Sequence, residues 1–186
     1  MIMLSEEEQQ LLLTIARKSI KHGLEHGTAL KLVKENYPPA LQQERAVFIT
    51  LKINSQLRGC IGTTETSSSI VQNVADYAFR AAFHDPRFSP LDKDEFDQIT
   101  LSISILSANE PVEFTSETDL LNQIRPGIDG LIIEKGNCRA TFLPSVWETL
   151  PDTHEFLRQL KLKANIPTNE SPGKAWRYHA DIIQEI

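Results

Sequence analysis

Ala46-Val47-Phe48-Ile49-Thr50-Leu51-Lys52-Ile53, then Asn54-Ser55, then Gln56-Leu57-Arg58-Gly59-Cys60-Ile61-Gly62, is the stretch that decides the fold. Val47, Ile49, Leu51 and Ile53 recur at every second position, with Phe48, Thr50 and Lys52 between them. That period belongs to a strand with one buried face. Asn54-Ser55 reads as a tight turn, so residues 56–62 return as the second strand of a hairpin.

Outward from the hairpin, the period changes to that of helices. Ser5 with Glu8 three residues on forms a capping box, and Leu11, Leu12, Ile15, Ala16 and Ile20 place one apolar stripe on a helix over 6–21, with Gly23 as its stop. Pro38-Pro39 makes 36–45 a loop. Ile70, Val71, Val74, Ala75, Ala78, Phe79 and Ala82 define a second helix over 69–83, and the two prolines of His84–Pro90 end it. Ile99, Leu101, Ile103 and Ile105 alternate with small polar residues as a half-buried strand. A short helix over 116–124, a hairpin of 130–135 with 139–143, helix over 145–162 interrupted near Pro151, a linker-like 167–174 and a closing strand over 175–182 complete the reading. Hairpins separated by helices indicate α+β, with antiparallel or mixed sheets flanked by helices, rather than a doubly wound parallel sheet.

Composition narrows the function classes. With 19 Lys+Arg against 25 Asp+Glu, the formal net charge is −6. No basic tract offers a duplex-binding face, so nucleic acid is not an expected partner. No apolar run is long enough to span a bilayer, and Met1–Glu8 lacks the features of a signal peptide, so we expect a cytoplasmic protein without a membrane partner. Cys60 and Cys138 are the two cysteines and stand far apart, which leaves no disulfide framework and no paired zinc or redox motif. No nucleotide fingerprint occurs, and no cofactor is expected.

Three places could carry chemistry. In Leu57–Gly62, strict alternation would put Arg58, Cys60 and Gly62 on one face, with Arg58 and Cys60 about 7 Å apart at Cα. A guanidinium beside a thiol favours thiolate, and Gly59 and Gly62 would admit a ligand or another backbone. The same residues also read as a buried structural cysteine beside a bulge. His84-Asp85-Pro86-Arg87 gathers a base, a carboxylate and a cation on a stiff loop, as candidate partners of Cys60 or as a locally paired turn. His22-Gly23-Leu24-Glu25-His26 matches H-x-x-E-H, but the helix is expected to end there and no third ligand follows, so no metal site is assigned.

Leu57-Arg58-Gly59-Cys60-Ile61-Gly62 resembles the signature of the AMMECR-one family, also called AmmeMemoRadiSam system protein A. Further blocks agree in order: Ala81-Ala82-Phe83 with Asp85-Pro86-Arg87-Phe88, Ser102–Leu106, Gly127-Ile128-Asp129-Gly130-Leu131, Thr141-Phe142-Leu143-Pro144 with Val146-Trp147, and Phe156-Leu157 through Ala164. Two positions depart from the pattern: Lys161 stands where the family usually has Cys, and Asn165 where it has Gly. The resemblance fixes no residue at 84. It implies an α+β protein of two closely associated lobes forming one compact unit over 1–186, acting with a Memo-like protein and a radical-SAM-type protein. It supplies no reaction. Two functions therefore stay open. One is a module binding a partner or a small anionic ligand through Arg58, Gly59, Gly62 and Arg87. The other is an enzyme using Cys60 as nucleophile or acceptor, with Arg58, Asp85 and His84 assisting.

Overall fold

The structure is a computed structural model that describes residues 4–185. The chain divides into two units, Met1–Leu106 with Asp181–Ile186, and Ser107–Ala180.

The first unit is built on a four-stranded sheet in the order β2-β1-β3-β8, formed by β1 (Val47–Ile53), β2 (Gln56–Gly62), β3 (Ile99–Leu106) and β8 (Ala180–Gln184). β1 runs antiparallel to both β2 and β3. Val47, Ile49 and Leu51 are fully buried, as the alternation requires, and share one core with the stripe Ile70, Val71, Val74 and Ala78. Burying such a side chain stabilises by about 1.5–3 kcal/mol, so the two periodicities meeting in one core fix which face of the sheet is covered. The covering helices are α1 (Glu6–His26) and α2 (Ile70–Phe83). Ser69 caps α2, its hydroxyl accepting the Gln72 amide.

α1 corrects the expected boundary. Its capping box forms as read, but the helix runs five residues past 21, through His26. Gly23 is not a stop. A Cβ there would lie 2.5 Å from the Phe83 ring and 2.7 Å from that of Phe79, so Gly23 makes room for two aromatic rings of α2. The terminator is Gly27, at φ 71°, the left-handed conformation that glycine adopts without a steric penalty.

The second unit carries a sheet in the order β4-β7-β5-β6, from β4 (Glu110–Val112), β5 (Gly130–Lys135), β6 (Cys138–Phe142) and β7 (Lys174–Tyr178). Its helices are α4 (Glu117–Gln123) and α5 (Thr153–Ala164). Trp147 stacks on Phe156 with ring centroids 3.7 Å apart. The helix expected over 145–162 is two elements, a 3-10 turn at Pro144–Glu148 and α5, because Asp152 caps a fresh helix after Pro151. The closing strand expected over 175–182 is also two: β7 ends at Tyr178 in the second sheet and β8 begins at Ala180 in the first. Neither β4 nor α3 (Lys93–Phe96) was signalled by periodicity, since each is about one turn or pleat long. The observed architecture is α+β.

Candidate functional site

The β1–β2 hairpin turns through Asn54 and Ser55, both at positive φ (50° and 65°), as a two-residue connection between right-twisted strands demands. From that turn Ile53 pairs Gln56 and Lys52 pairs Leu57, but Leu51 then pairs Gly59 and Thr50 pairs Cys60. Arg58 is the extra residue of a β-bulge. The bulge interrupts the strict alternation expected of residues 57–62. An uninterrupted register would have set Cys60 against Ile49, on the core face. Instead Gly59 meets the core and Cys60 joins Thr50 on the outer face.

Gly59 is required there because a Cβ would come 2.2 Å from the Ala81 carbonyl oxygen of α2. At Gly62 it would come 2.3 Å from both the Val47 carbonyl and the Phe48 ring. The space both glycines leave is filled by the protein's own backbone and side chains. Leu57, by contrast, is 41 % exposed beside Lys52.

Arg58 is engaged by Glu95. Its Nε and Nη2 donate to the two carboxylate oxygens of Glu95, each at 2.7 Å, and Nη2 also donates to the Ser89 carbonyl at 2.9 Å. Its side chain is only 11 % exposed. Glu95 closes the capping box of α3 with Asp92, so Arg58 pins that turn beneath the bulge. This bidentate pair holds the Glu95 carboxyl below its ordinary range.

Asp85 and Arg87 do meet Cys60, at its backbone. β2 is an edge strand, and the Cys60 N–H, which points away from β1, donates to Asp85 Oδ2 at 2.8 Å. Arg87 donates through Nε and Nη2 to Asp85 at 2.9 and 2.7 Å, and through Nη2 to the Cys60 carbonyl at 3.3 Å. The Asp85 side chain is 2 % exposed while that of Arg87 is 53 % exposed. The arginine outweighs the burial penalty and, with the Cys60 and Arg87 amides, holds the Asp85 carboxyl down at about 2.

Among the described residues the thiol has one hydrogen-bond neighbour, the Thr50 hydroxyl at 3.3 Å, and the Arg87 guanidinium is near enough to interact with it electrostatically. His84 is not brought to it. Its N–H closes α2 on the Arg80 carbonyl, its ring stands edge-on to Phe79, and it lines a cleft of about 470 Å³ with Ile61, Asp76 and Arg80. Ile61 pairs Ile49, so that cleft lies on the opposite face of β2 from Cys60. His22 and His26 do sit one turn apart on α1 with rings stacked at 4.3 Å, but among the described residues no group of three or more His, Cys, Asp or Glu side chains could hold a metal ion. Nor is any described helix long and apolar enough to cross a membrane.

A family model described as AMMECR1 matches residues 13–183, across both units. The chain belongs to the AMMECR1 family. A protein of Methanothermobacter thermautotrophicus is 37 % identical over 98 % of this chain and 96 % of its own length. Protein MJ0810 of Methanocaldococcus jannaschii is 34 % identical over all of this chain and 94 % of its own. The crystal structure of the uncharacterized protein PH0010 from Pyrococcus horikoshii superposes with a TM-score of 0.89 at 31 % identity, covering 98 % of this chain and 93 % of that one.

The departures within the AMMECR1 pattern now have a physical account. Lys161 is 2 % exposed, and its ammonium donates to Glu117 Oε2 at 2.7 Å and to the carbonyls of Thr168 and Glu170 at 2.7 and 3.2 Å. Three protons meet three acceptors, so this lysine ties the loop after α5 to α4. Asn165 ends α5 at φ 59°, the conformation a glycine takes at the same place.

Proposed function

We propose that this AMMECR1 domain is a binding module, whose contact surface is the outer side of β2 and its neighbours: Leu57, Cys60 and Thr50, with Arg87 at the strand edge. One observation carries the reading: the carboxylates drawn to the motif are paired with its arginines and its backbone, and none is hydrogen-bonded to the thiol. Asp85 is held by Arg87 and the Cys60 amide, and Arg58 by Glu95. The thiol is left beside a hydroxyl, with no hydrogen bond to a base among the described residues. A cysteine nucleophile needs a base within reach of its proton. What faces outward instead is an apolar Leu57 and the free Nη1 of Arg87, suited to a protein surface or a small anion.

The partner named by the family resemblance is a Memo-like protein, acting with a radical-SAM-type protein. The single family model over 13–183 supports taking both units as one functional domain. Calorimetric titration of the full chain with a purified Memo-like protein tests the reading. Cys60→Ser should bind within about twofold of the parent, and Leu57→Asp at least about tenfold more weakly. Undiminished binding by Leu57→Asp would overturn the surface. A substrate turnover abolished by Cys60→Ser with binding intact would establish the thiol as nucleophile instead.

A further inference from the structure

A groove of about 690 Å³ runs along α1, bordered by Phe96 of α3, Thr100 of β3 and Glu185 after β8. None of Arg58, Gly59, Cys60 and Gly62 lines it, and it rests on none of the reasoning about Cys60. The helix contributes Gln10, Thr14, Arg17, Lys18 and Lys21, positions that follow the helical period along one stripe, with buried Leu13 as apolar floor.

The three cations are not equivalent. Arg17 is saturated: its Nη2 donates to Glu185 Oε2 at 2.7 Å and to the Ile99 carbonyl at 2.6 Å, its Nη1 to the Phe96 carbonyl at 3.1 Å, and its Nε to Glu185 Oε1. Glu185 accepts the Leu101 amide as well. This pair forms a neutral wall, and it cancels the one carboxylate that lines the groove among the described residues. Lys18 and Lys21 are exposed, and their ammonium groups have no partner among the described residues. A chain of net charge −6 thus presents two positive charges, unpaired among the described residues and one helical turn apart, above an apolar floor.

We propose that this groove binds a small phosphomonoester, the phosphate held between Lys18 and Lys21 and its apolar or aromatic body seated on Leu13 and Phe96. Two ammonium groups with nothing to share match a dianion, whereas a monocarboxylate would leave one of them unpaired. Lysine meets phosphate as a point charge and needs no fork geometry. The Thr14 hydroxyl and Gln10 amide lie on the same stripe to bond ester or ring oxygens. The volume falls within the few hundred to ~1,000 Å³ usual for small-molecule sites.

The test is a titration of the full ¹⁵N-labelled chain with phenyl phosphate and, separately, benzoate. Phenyl phosphate should give saturable shifts in the amides of residues 10–21 and of Phe96, weakening as salt is raised. Lys18→Gln with Lys21→Gln should weaken binding at least about tenfold. Both side chains are exposed, and an unchanged melting temperature verifies the fold; Lys18→Gln alone provides the second variant and should weaken binding measurably. Absence of saturation by about 10 mM, or wild-type affinity in the double variant, would overturn the site. Benzoate binding as tightly as phenyl phosphate would overturn the dianion assignment.

Discussion

The Asp85 carboxylate accepts the backbone N–H of Cys60 at 2.8 Å, and so occupies the open edge of β2 where another strand would otherwise pair. Arg87 completes the closure by donating to the Cys60 carbonyl at 3.3 Å. An unpaired edge offers both groups to any passing chain, and proteins blunt such edges with charge. Here the charged pair imitates the missing strand.

Asp85→Ala should therefore destabilise the protein by about 1–3 kcal/mol, because a part-buried amide loses its acceptor and Arg87 its anchor. Denaturant unfolding reads the loss. Sedimentation velocity should also show concentration-dependent self-association absent from the parent.

The same clamp sets an acid limb. The Asp85 carboxyl titrates at about 2 in the folded protein, below the ~4 of an unfolded chain. Its contribution is thus fully present above pH ~4 and is lost as pH falls toward ~2, amounting to about 2 kcal/mol. In Asp85→Asn the stability curve should be flatter across that window. Parallel curves for parent and variant would place the acid sensitivity elsewhere.

Gly59→Ala is the most informative single methyl. Its Cβ would stand 2.2 Å from the Ala81 carbonyl, a backbone atom in a helix that cannot step aside alone. Overpacking of this kind costs about 1–3 kcal/mol, measurable as a lowered melting temperature in calorimetry.

Lys161→Met keeps the length of the side chain and removes all three donors. The Thr168 and Glu170 carbonyls then lose their shared partner. We expect about 1–3 kcal/mol of destabilisation and faster amide exchange over 166–170.

The regular elements were legible because their residues repeat: Val47-Ile49-Leu51 and Ile70-Val71-Val74 announce a strand and a helix that bury the same core. What escaped the sequence is non-periodic. The bulge at Arg58 leaves no trace in alternation, yet it sets Cys60 opposite Thr50 on the outer face, while the Arg58 guanidinium is engaged by Glu95. Glu95 was within reach of sequence reasoning, since Asp92 with Glu95 three residues on is a capping box, but its pairing with Arg58 across 37 positions was not. Gly23 looked like a terminator because its crowding by Phe79 and Phe83 is tertiary. Asp85 and Arg87 form the locally paired turn that is one of the two readings of His84–Arg87, and their hold on the Cys60 backbone is a tertiary contact that sequence does not signal.

The passage of the chain from Tyr178 to Ala180 has a consequence for biosynthesis. β3 finds its sheet neighbour β8 only after every strand of the second sheet has been made. The two crossings are stitched together, the Ser107 N–H donating to the His179 carbonyl and the His179 N–H to the Ser107 hydroxyl, both at 2.9 Å. On a ribosome, residues 107–180 hold all the strands of their own sheet before the first sheet can receive its fourth. The usual order, earlier sequence maturing first, is thereby reversed. Until translation reaches Asp181–Gln184, β3 carries an unfilled edge, the stage at which a nascent chain most needs protection from mispairing.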